Sequence, residues 1–193
     1  MAPTELGAAL VQTARTALRL GLGLGFPGAE PVRHPALGEP GATFVTLTQH
    51  GELRGCIGTL EAHRPLKLDV EQNTLAAAFH DPRFVPLVVG ELEVTRIEVS
   101  LLTAPAPLPF VDEPDLLQRL SPGVDGVVLA WRSRRATFLP QVWDSLPDPR
   151  DFLAALKHKA GLAADFWSDD IRMSRYAVSK FKEPAAPGSG AQS

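Results

Sequence analysis

The 193-residue sequence has little of several features that mark particular classes of protein. Its only cysteine is Cys56, so no disulfide can form within the chain, which is typical of a protein kept in a reducing compartment. No apolar run reaches the roughly 20 residues needed to span a bilayer. The N-terminus has no basic segment of the kind that begins a signal peptide. We therefore expect a cytoplasmic protein with no membrane span.

The chain also lacks an excess of positive charge. Its formal net charge is −3 and its isoelectric point is about 5.9, whereas a nucleic-acid-binding domain usually carries a basic patch or stripe. The composition therefore argues against nucleic acid as a partner. The length is sufficient for one domain or for two small lobes, each with a core.

The hydrophobic pattern predicts an α+β fold with mainly antiparallel sheets, because several alternating segments follow one another through short turns. Gln49–Glu52 has the composition of a hairpin turn leading into the strand that carries Cys56. The Gly- and Pro-rich segment 21–41 is predicted to be a loop, and 184–193 a disordered tail. Helices are predicted over 3–20, 66–79, 114–120 and 149–160, and further strands over 42–48, 91–102, 126–131, 136–139 and 171–181.

Cys56 lies between two glycines in the segment 53–60. Side chains alternate along an extended segment, so Arg54 and Cys56 are expected on one face. A guanidinium beside a thiol favours the thiolate, which makes Cys56 a candidate nucleophile and Arg54 a candidate binding residue. The alternative is a small buried thiol packed beside Gly55 and Gly58, since free cysteine is among the most buried residue types.

Two other polar side chains are candidates for binding. Arg83 follows Asp81 at the end of a predicted helix, where it could hold a carboxylate or phosphate through two hydrogen bonds. A structural ion pair with Asp81 is the alternative, and the one we favour. Gln141 and Trp143 follow a predicted strand and either line a pocket or serve the packing of that region.

The histidines show no spacing to one another or to Cys56 that is typical of a metal site. His80 is expected to cap a helix end, where a cation suits the helix dipole. We predict no metal and no cofactor from this chain.

Five blocks of the sequence together resemble the AMMECR-type domain family, and their order and spacing match across about residues 5 to 183. The blocks are Leu53–Gly58, Ala76–Phe79 continuing through Asp81–Phe84, Ile97–Leu102, Thr137–Trp143, and Lys159–Leu162 followed by Trp167. The resemblance implies two unequal α/β lobes with a cleft between them. We place the first lobe at about 42–89 and the second at about 1–41 plus 90–183.

The resemblance also implies a prokaryotic protein of the AmmeMemoRadiSam system, with a Memo-like protein and a radical S-adenosylmethionine protein as partners. It carries over no catalytic residue. Two functions therefore stay open. One is an accessory subunit that binds a small molecule or a partner protein. The other is an enzyme in which Cys56 reacts while Arg54 and Arg83 hold a small acidic metabolite. The spacing of residues yields no set of nucleophile, base and orienting group, which favours the first function.

Overall fold

A computed structural model gives the structure of residues 5–25 and 32–183, and these residues build two units, each with its own sheet and core. Among the described residues, the first unit comprises 5–25, 32–102 and 179–183, and the second comprises 103–178. The described elements, in chain order, are α1 (Glu5–Gly21), β1 (Pro40–Gln49), β2 (Glu52–Gly58), β3 (Arg64–Pro65), α2 (Leu66–Phe79), β4 (Thr95–Leu102), β5 (Ala106–Pro107), α3 (Glu113–Arg119), β6 (Gly126–Trp131), β7 (Arg134–Phe138), α4 (Pro149–Lys159), β8 (Arg172–Tyr176) and β9 (Val178–Lys182). Short 3₁₀ helices cover Pro35–Gly38, Val89–Glu91 and Pro140–Asp144.

The sheet of the first unit has the strand order β2-β1-β4-β9, with β3 paired to one end of β1. β1 is antiparallel to β2, β3 and β4. In the central register Thr46 of β1 lies opposite Cys56 of β2 and Glu98 of β4. β2 is therefore an edge strand, and Cys56 lies near the middle of it.

Helix α2 lies against the β1–β2 hairpin, and α1 contacts α2 and β4. The buried side chains between the helices and the sheet include Leu10, Val45, Val70 and Ile97. Gly55 allows α2 to approach β2 closely, because a Cβ at this position would overlap the carbonyl oxygen of Ala77. Gly55 therefore faces α2.

In the second unit the strand order is β5-β8-β6-β7, and every neighbouring pair is antiparallel. The core of this unit includes Leu129 from the sheet and Phe152 and Leu156 from α4, all fully buried. Helix α4 ends at Lys159, and Gly161 follows with a φ of +73°, the left-handed conformation expected of a glycine after a helix.

The predicted α+β class is confirmed, and each predicted helix is present, with its ends within one residue of the prediction among the described residues. Residues 3 and 4 of the first predicted helix lie outside the described residues. The hairpin turn is also present, with His50 and Gly51 both at positive φ. The predicted tail at 184–193 and part of the predicted loop at 21–41 lie outside the described residues. Among the helices that the structure describes, none has the length and apolar character needed to cross a bilayer.

The bounds of the two units correct the predicted lobes. The predicted bounds place β4 in the second lobe, but it pairs along its whole length with β1 and so belongs with the hairpin. α1 packs on α2 in the same unit. The predicted strand 171–181 is divided, because β8 pairs with β6 whereas β9 lies beside β4 in the other sheet. Apolar residues recur on both sides of this division, so the composition of the segment does not reveal it. The predicted strand 91–102 begins only at Thr95, after the 3₁₀ helix at Val89–Glu91.

Candidate functional site

Arg54 is the extra residue of a β-bulge in strand β2. Leu47 of β1 pairs with Gly55, whereas the next residue, Thr48, pairs with Leu53, so Arg54 has no partner opposite it. A bulge breaks the strict alternation of side chains and redirects the bulged residue. The expectation that Arg54 and Cys56 share one face depends on that alternation, so the bulge removes its basis.

The Arg54 guanidinium binds Glu91, which lies 37 positions further along the chain. Its Nε and Nη2 donate to the two carboxylate oxygens at 3.0 and 3.1 Å, and Gln49 Nε2 and the backbone N–H of Val88 donate to the same carboxylate at 3.1 and 2.9 Å. The hydrogen bonds from Arg54 are the main cause that lowers the pKa of Glu91 to about 2. Arg54 is only 9% exposed, and its Nη1 is buried with no hydrogen-bond partner among the described residues. Arg54 is thus committed to an internal ion pair.

Asp81 and Arg83 together cover the open edge of β2 at Cys56. The backbone N–H of Cys56 donates to Asp81 Oδ2 at 2.9 Å, and Arg83 Nη2 donates to the Cys56 carbonyl at 3.3 Å. Arg83 also binds Asp81 through Nε–Oδ1 and Nη2–Oδ2 contacts of 2.9 and 2.6 Å. These hydrogen bonds hold the pKa of Asp81 well below its usual range, and the pKa of Arg83 is raised by the same pair. The ion pair favoured from the sequence is therefore present.

Arg83 keeps an open side despite this pairing. The Asp81 side chain is 2% exposed, whereas that of Arg83 is 52% exposed. Arg83 Nη1 donates no hydrogen bond to any residue in the described ranges. A fixed, half-exposed guanidinium of this kind suits an external carboxylate or phosphate.

Cys56 is half-buried and lies beside Arg83. Thr46 Oγ1 donates to its sulfur at 3.4 Å from the adjacent strand. Because Gly55 faces α2, the side chain of the next residue, Cys56, lies on the other face of the sheet. No imidazole, carboxylate or amine contacts the sulfur within the described part of the chain.

The Phe84 ring lies near both guanidinium groups. The Cζ atoms of Arg54 and Arg83 are 5.9 and 5.5 Å from the ring centroid, within the range of cation–π contacts. The segment that follows is held in place by the backbone N–H of Leu87, which donates to the Ala78 carbonyl of α2, and by the Glu91 carboxylate. Val85 and Val88 on this segment are nevertheless 76% and 60% exposed. A rigid apolar surface thus lies next to Arg83.

Gln141 lies in the second unit. It is exposed on a 3₁₀ helix and makes no side-chain hydrogen bond to a described residue. Its neighbour Trp143 is buried, stacks on Phe152 with ring centroids 3.6 Å apart, and donates from Nε1 to the Asp125 carbonyl at 2.8 Å. Trp143 therefore packs in the core of the second unit.

A second polar cluster, which the sequence analysis did not single out, surrounds Asp69. This carboxylate is 1% exposed and accepts hydrogen bonds from Thr43, Thr59, Arg64 and Asn73, at distances between 2.6 and 2.9 Å. The cluster joins α2 to β1 and to the segment between β2 and β3. The local signal for it is the spacing of Asp69 and Asn73, which lie four positions apart on the buried face of α2.

The described residues contain no group of three or more His, Cys, Asp and Glu side chains placed to hold a metal ion. His80 lies at the C-cap of α2, where its backbone N–H donates to the Ala76 carbonyl at 2.8 Å. Within the first unit, the cluster of Cys56, Asp81 and Arg83 offers anion binding at Arg83 beside a half-buried thiol.

Comparison with known proteins identifies the family. A protein of the archaeon Saccharolobus islandicus is 36% identical over 192 residues, covering 96% of this chain and 85% of its own. A protein of Thermofilum pendens is 35% identical, with 95% and 92% covered. The crystal structure of an uncharacterized protein from Pyrococcus horikoshii superposes with a TM-score of 0.75 at 30% identity, covering 93% of this chain and 92% of that one. The AMMECR1 family model matches residues 11–181, so the chain belongs to the AMMECR1 family.

Proposed function

We propose that this protein is an accessory subunit that binds an acidic group at Arg83, and that it works with a Memo-like protein and a radical S-adenosylmethionine protein. The observation that carries the proposal is the state of Arg83. Its guanidinium is fixed by Asp81 and by the Cys56 carbonyl, yet half of the side chain is exposed. A cation that is already ordered loses little conformational entropy when it binds an anion.

The surface next to Arg83 favours a partner protein as the source of the acidic group. Val85 and Val88 are exposed on a segment that is itself held in place. Exposed apolar side chains beside a fixed charge are typical of protein–protein interaction sites. A small acidic metabolite bound at Arg83 alone would make no use of them.

The proposal is tested by measuring the binding of the purified full chain to the Memo-like and the radical S-adenosylmethionine protein of the same organism. Arg83→Gln and Val85→Asp should each weaken binding to at least one of these proteins by tenfold or more. Val124→Asp is the matched control, because Val124 is 60% exposed on the second unit. Equal binding by all three variants, or no binding to either protein, would contradict the proposal. A titration of the purified chain with succinate tests the alternative, in which Arg83 binds a small acidic metabolite and not a partner protein.

The competing function is an enzyme that uses the Cys56 thiol. Its support is that Cys56 is half-buried, not fully buried, and lies beside Arg83. A nucleophilic thiol normally has a base within hydrogen-bond reach, whereas the group that contacts this sulfur is the Thr46 hydroxyl. Cys56→Ser separates the two functions. An accessory subunit with this change should keep both its affinity for the partner proteins and the activity of the mixture that contains them. A catalytic subunit should keep the affinity and lose the activity.

A further inference from the structure

The second unit contains a cavity of about 570 Å³ lined by the segment around β5 and by residues 167–174. Its volume falls in the range of roughly 300 to 1,000 Å³ that is usual for small-molecule sites. Its walls are mainly apolar, with Phe110, Val111, Trp167 and Met173 among them. Val111 is 87% exposed although it is a large apolar residue. All of its lining residues belong to the second unit, whereas Arg83 belongs to the first.

The aromatic wall is held in place by neighbouring side chains. The Phe110 and Trp167 rings meet edge to face, with centroids 5.7 Å apart. Lys157 Nζ lies 5.5 Å from the Trp167 ring centroid and is itself fixed by Glu113 Oε1 at 3.0 Å and by the Ala164 carbonyl at 3.2 Å. Lys157 is fully buried, and Glu113 is 34% exposed. Trp167 is therefore positioned before any ligand arrives.

Two opposite charges line the same cavity without partners. Asp169 and Arg172 are both exposed there, and neither side chain forms a hydrogen bond or ion pair with any residue in the described ranges. The two side chains are also not paired with each other. A carboxylate and a guanidinium in one apolar cavity complement a ligand that carries an ammonium group and a carboxylate.

We infer that this cavity binds a small zwitterion with an aromatic body, that is, an aromatic α-amino acid. Arg172 holds the carboxylate, Asp169 holds the ammonium group, and the aromatic ring packs against Trp167 and Phe110. The inference is independent of the proposed function, since its residues belong to the other unit and do not involve Arg83.

The test uses three probes that differ in one charge each: L-tryptophan, tryptamine, which lacks the carboxylate, and indole-3-propionate, which lacks the ammonium group. Binding to the full chain is measured by calorimetry or ligand-observed NMR. L-Tryptophan should bind at least tenfold more tightly than either single-charge probe. Equal binding of the three probes, or no binding of L-tryptophan at millimolar concentration, would overturn the inference.

Charge variants give a crossed pattern that a non-specific apolar contact does not produce. Arg172→Gln should weaken the binding of L-tryptophan and of indole-3-propionate by at least tenfold and leave the binding of tryptamine unchanged. Asp169→Asn should weaken the binding of L-tryptophan and of tryptamine and leave the binding of indole-3-propionate unchanged. Arg172→Lys should retain part of the affinity, and Arg83→Gln should have no effect. All of these positions are exposed, so the variants should fold. Loss of L-tryptophan binding in Arg83→Gln would place the ligand elsewhere and overturn the inference.

Discussion

The Asp81 carboxylate accepts a hydrogen bond from the backbone N–H of Cys56 at 2.9 Å, although the two residues lie 25 positions apart and Asp81 lies in the segment after α2. An edge strand presents unpaired N–H and C=O groups on which another strand can pair. At Cys56 these groups are taken by Asp81 and Arg83. The family block that contains Asp81 and Arg83 therefore has a structural role at the block that contains Cys56, in addition to the open side of Arg83.

Asp81→Asn should lower the free energy of unfolding by about 2 to 4 kcal/mol, because it removes the charge from a buried carboxylate that binds Arg83 and Cys56. The measurement is equilibrium unfolding in urea at pH 7. Asp115→Asn is the control, since Asp115 also pairs with an arginine, Arg119, but at a site more open to water. Its loss should be much smaller. Equal losses in the two variants would mean that the edge contact at Cys56 adds nothing.

Stability should depend on pH through Glu91. Its pKa is lowered from 4.5 to about 2 in the folded state, chiefly by the hydrogen bonds from Arg54. A carboxyl with a lowered pKa stabilises the fold fully above its unfolded-state value, and this stabilisation is lost as the pH falls from about 4.5 towards 2. Glu91→Gln should therefore be less stable than the wild type at pH 7, and the difference should shrink as the pH approaches 2.

Urea midpoints at a series of pH values check this prediction. Glu93→Gln is the control, because Glu93 is exposed and its side chain forms no ion pair with a described residue. It should follow the wild-type curve. A Glu91→Gln curve parallel to that of the wild type between pH 4.5 and 2 would show that the Arg54–Glu91 pair does not stabilise the fold.

Local patterns predicted the elements of the fold because the forces that form them are local. The hairpin turn at His50 and Gly51 follows from turn chemistry, and the prolines at 65 and 82 mark the two ends of α2. The bulge at Arg54 and its pairing with Glu91 depend on residues brought together from distant positions, so no periodicity encodes them. The same holds for the hydrogen bonds around Asp69. The local pair of Asp81 and Arg83 was thus predictable from the sequence, whereas Glu91 as the partner of Arg54 was not.

Gly55→Ala should destabilise the protein by about 3 kcal/mol or more, because the added Cβ would overlap the backbone carbonyl of Ala77. A backbone atom cannot move aside as the end of a flexible side chain can, so α2 would have to shift relative to β2. Gly90→Ala is the matched control, since a Cβ at Gly90 would meet no atom within 4 Å and its φ is not positive. Thermal unfolding measured for both variants decides the matter. Similar melting temperatures would show that α2 and β2 do not approach as closely as described.

The reactivity of Cys56 should depend on Arg83 more than on Arg54. Because Cys56 is half-buried, its thiol should react with iodoacetamide in the folded protein, whereas a fully buried thiol would react only after unfolding. The positive charge next to it is that of Arg83, which donates to the Cys56 carbonyl at 3.3 Å.

Arg54 forms an ion pair with Glu91 at 3.0 Å, and this pairing reduces the effect of its positive charge on the Cys56 thiolate. Arg83→Gln should therefore slow alkylation at neutral pH by severalfold, and Arg54→Gln should slow it less once the loss of stability is accounted for. The rates are measured by mass spectrometry on samples that remain folded by circular dichroism. A larger effect of Arg54→Gln would show that Arg54 supplies the positive charge that acts on the Cys56 thiol, as the alternation of side chains predicts. Absence of any reaction below the unfolding transition would make Cys56 a packing residue and leave Arg83 as the binding group of this site.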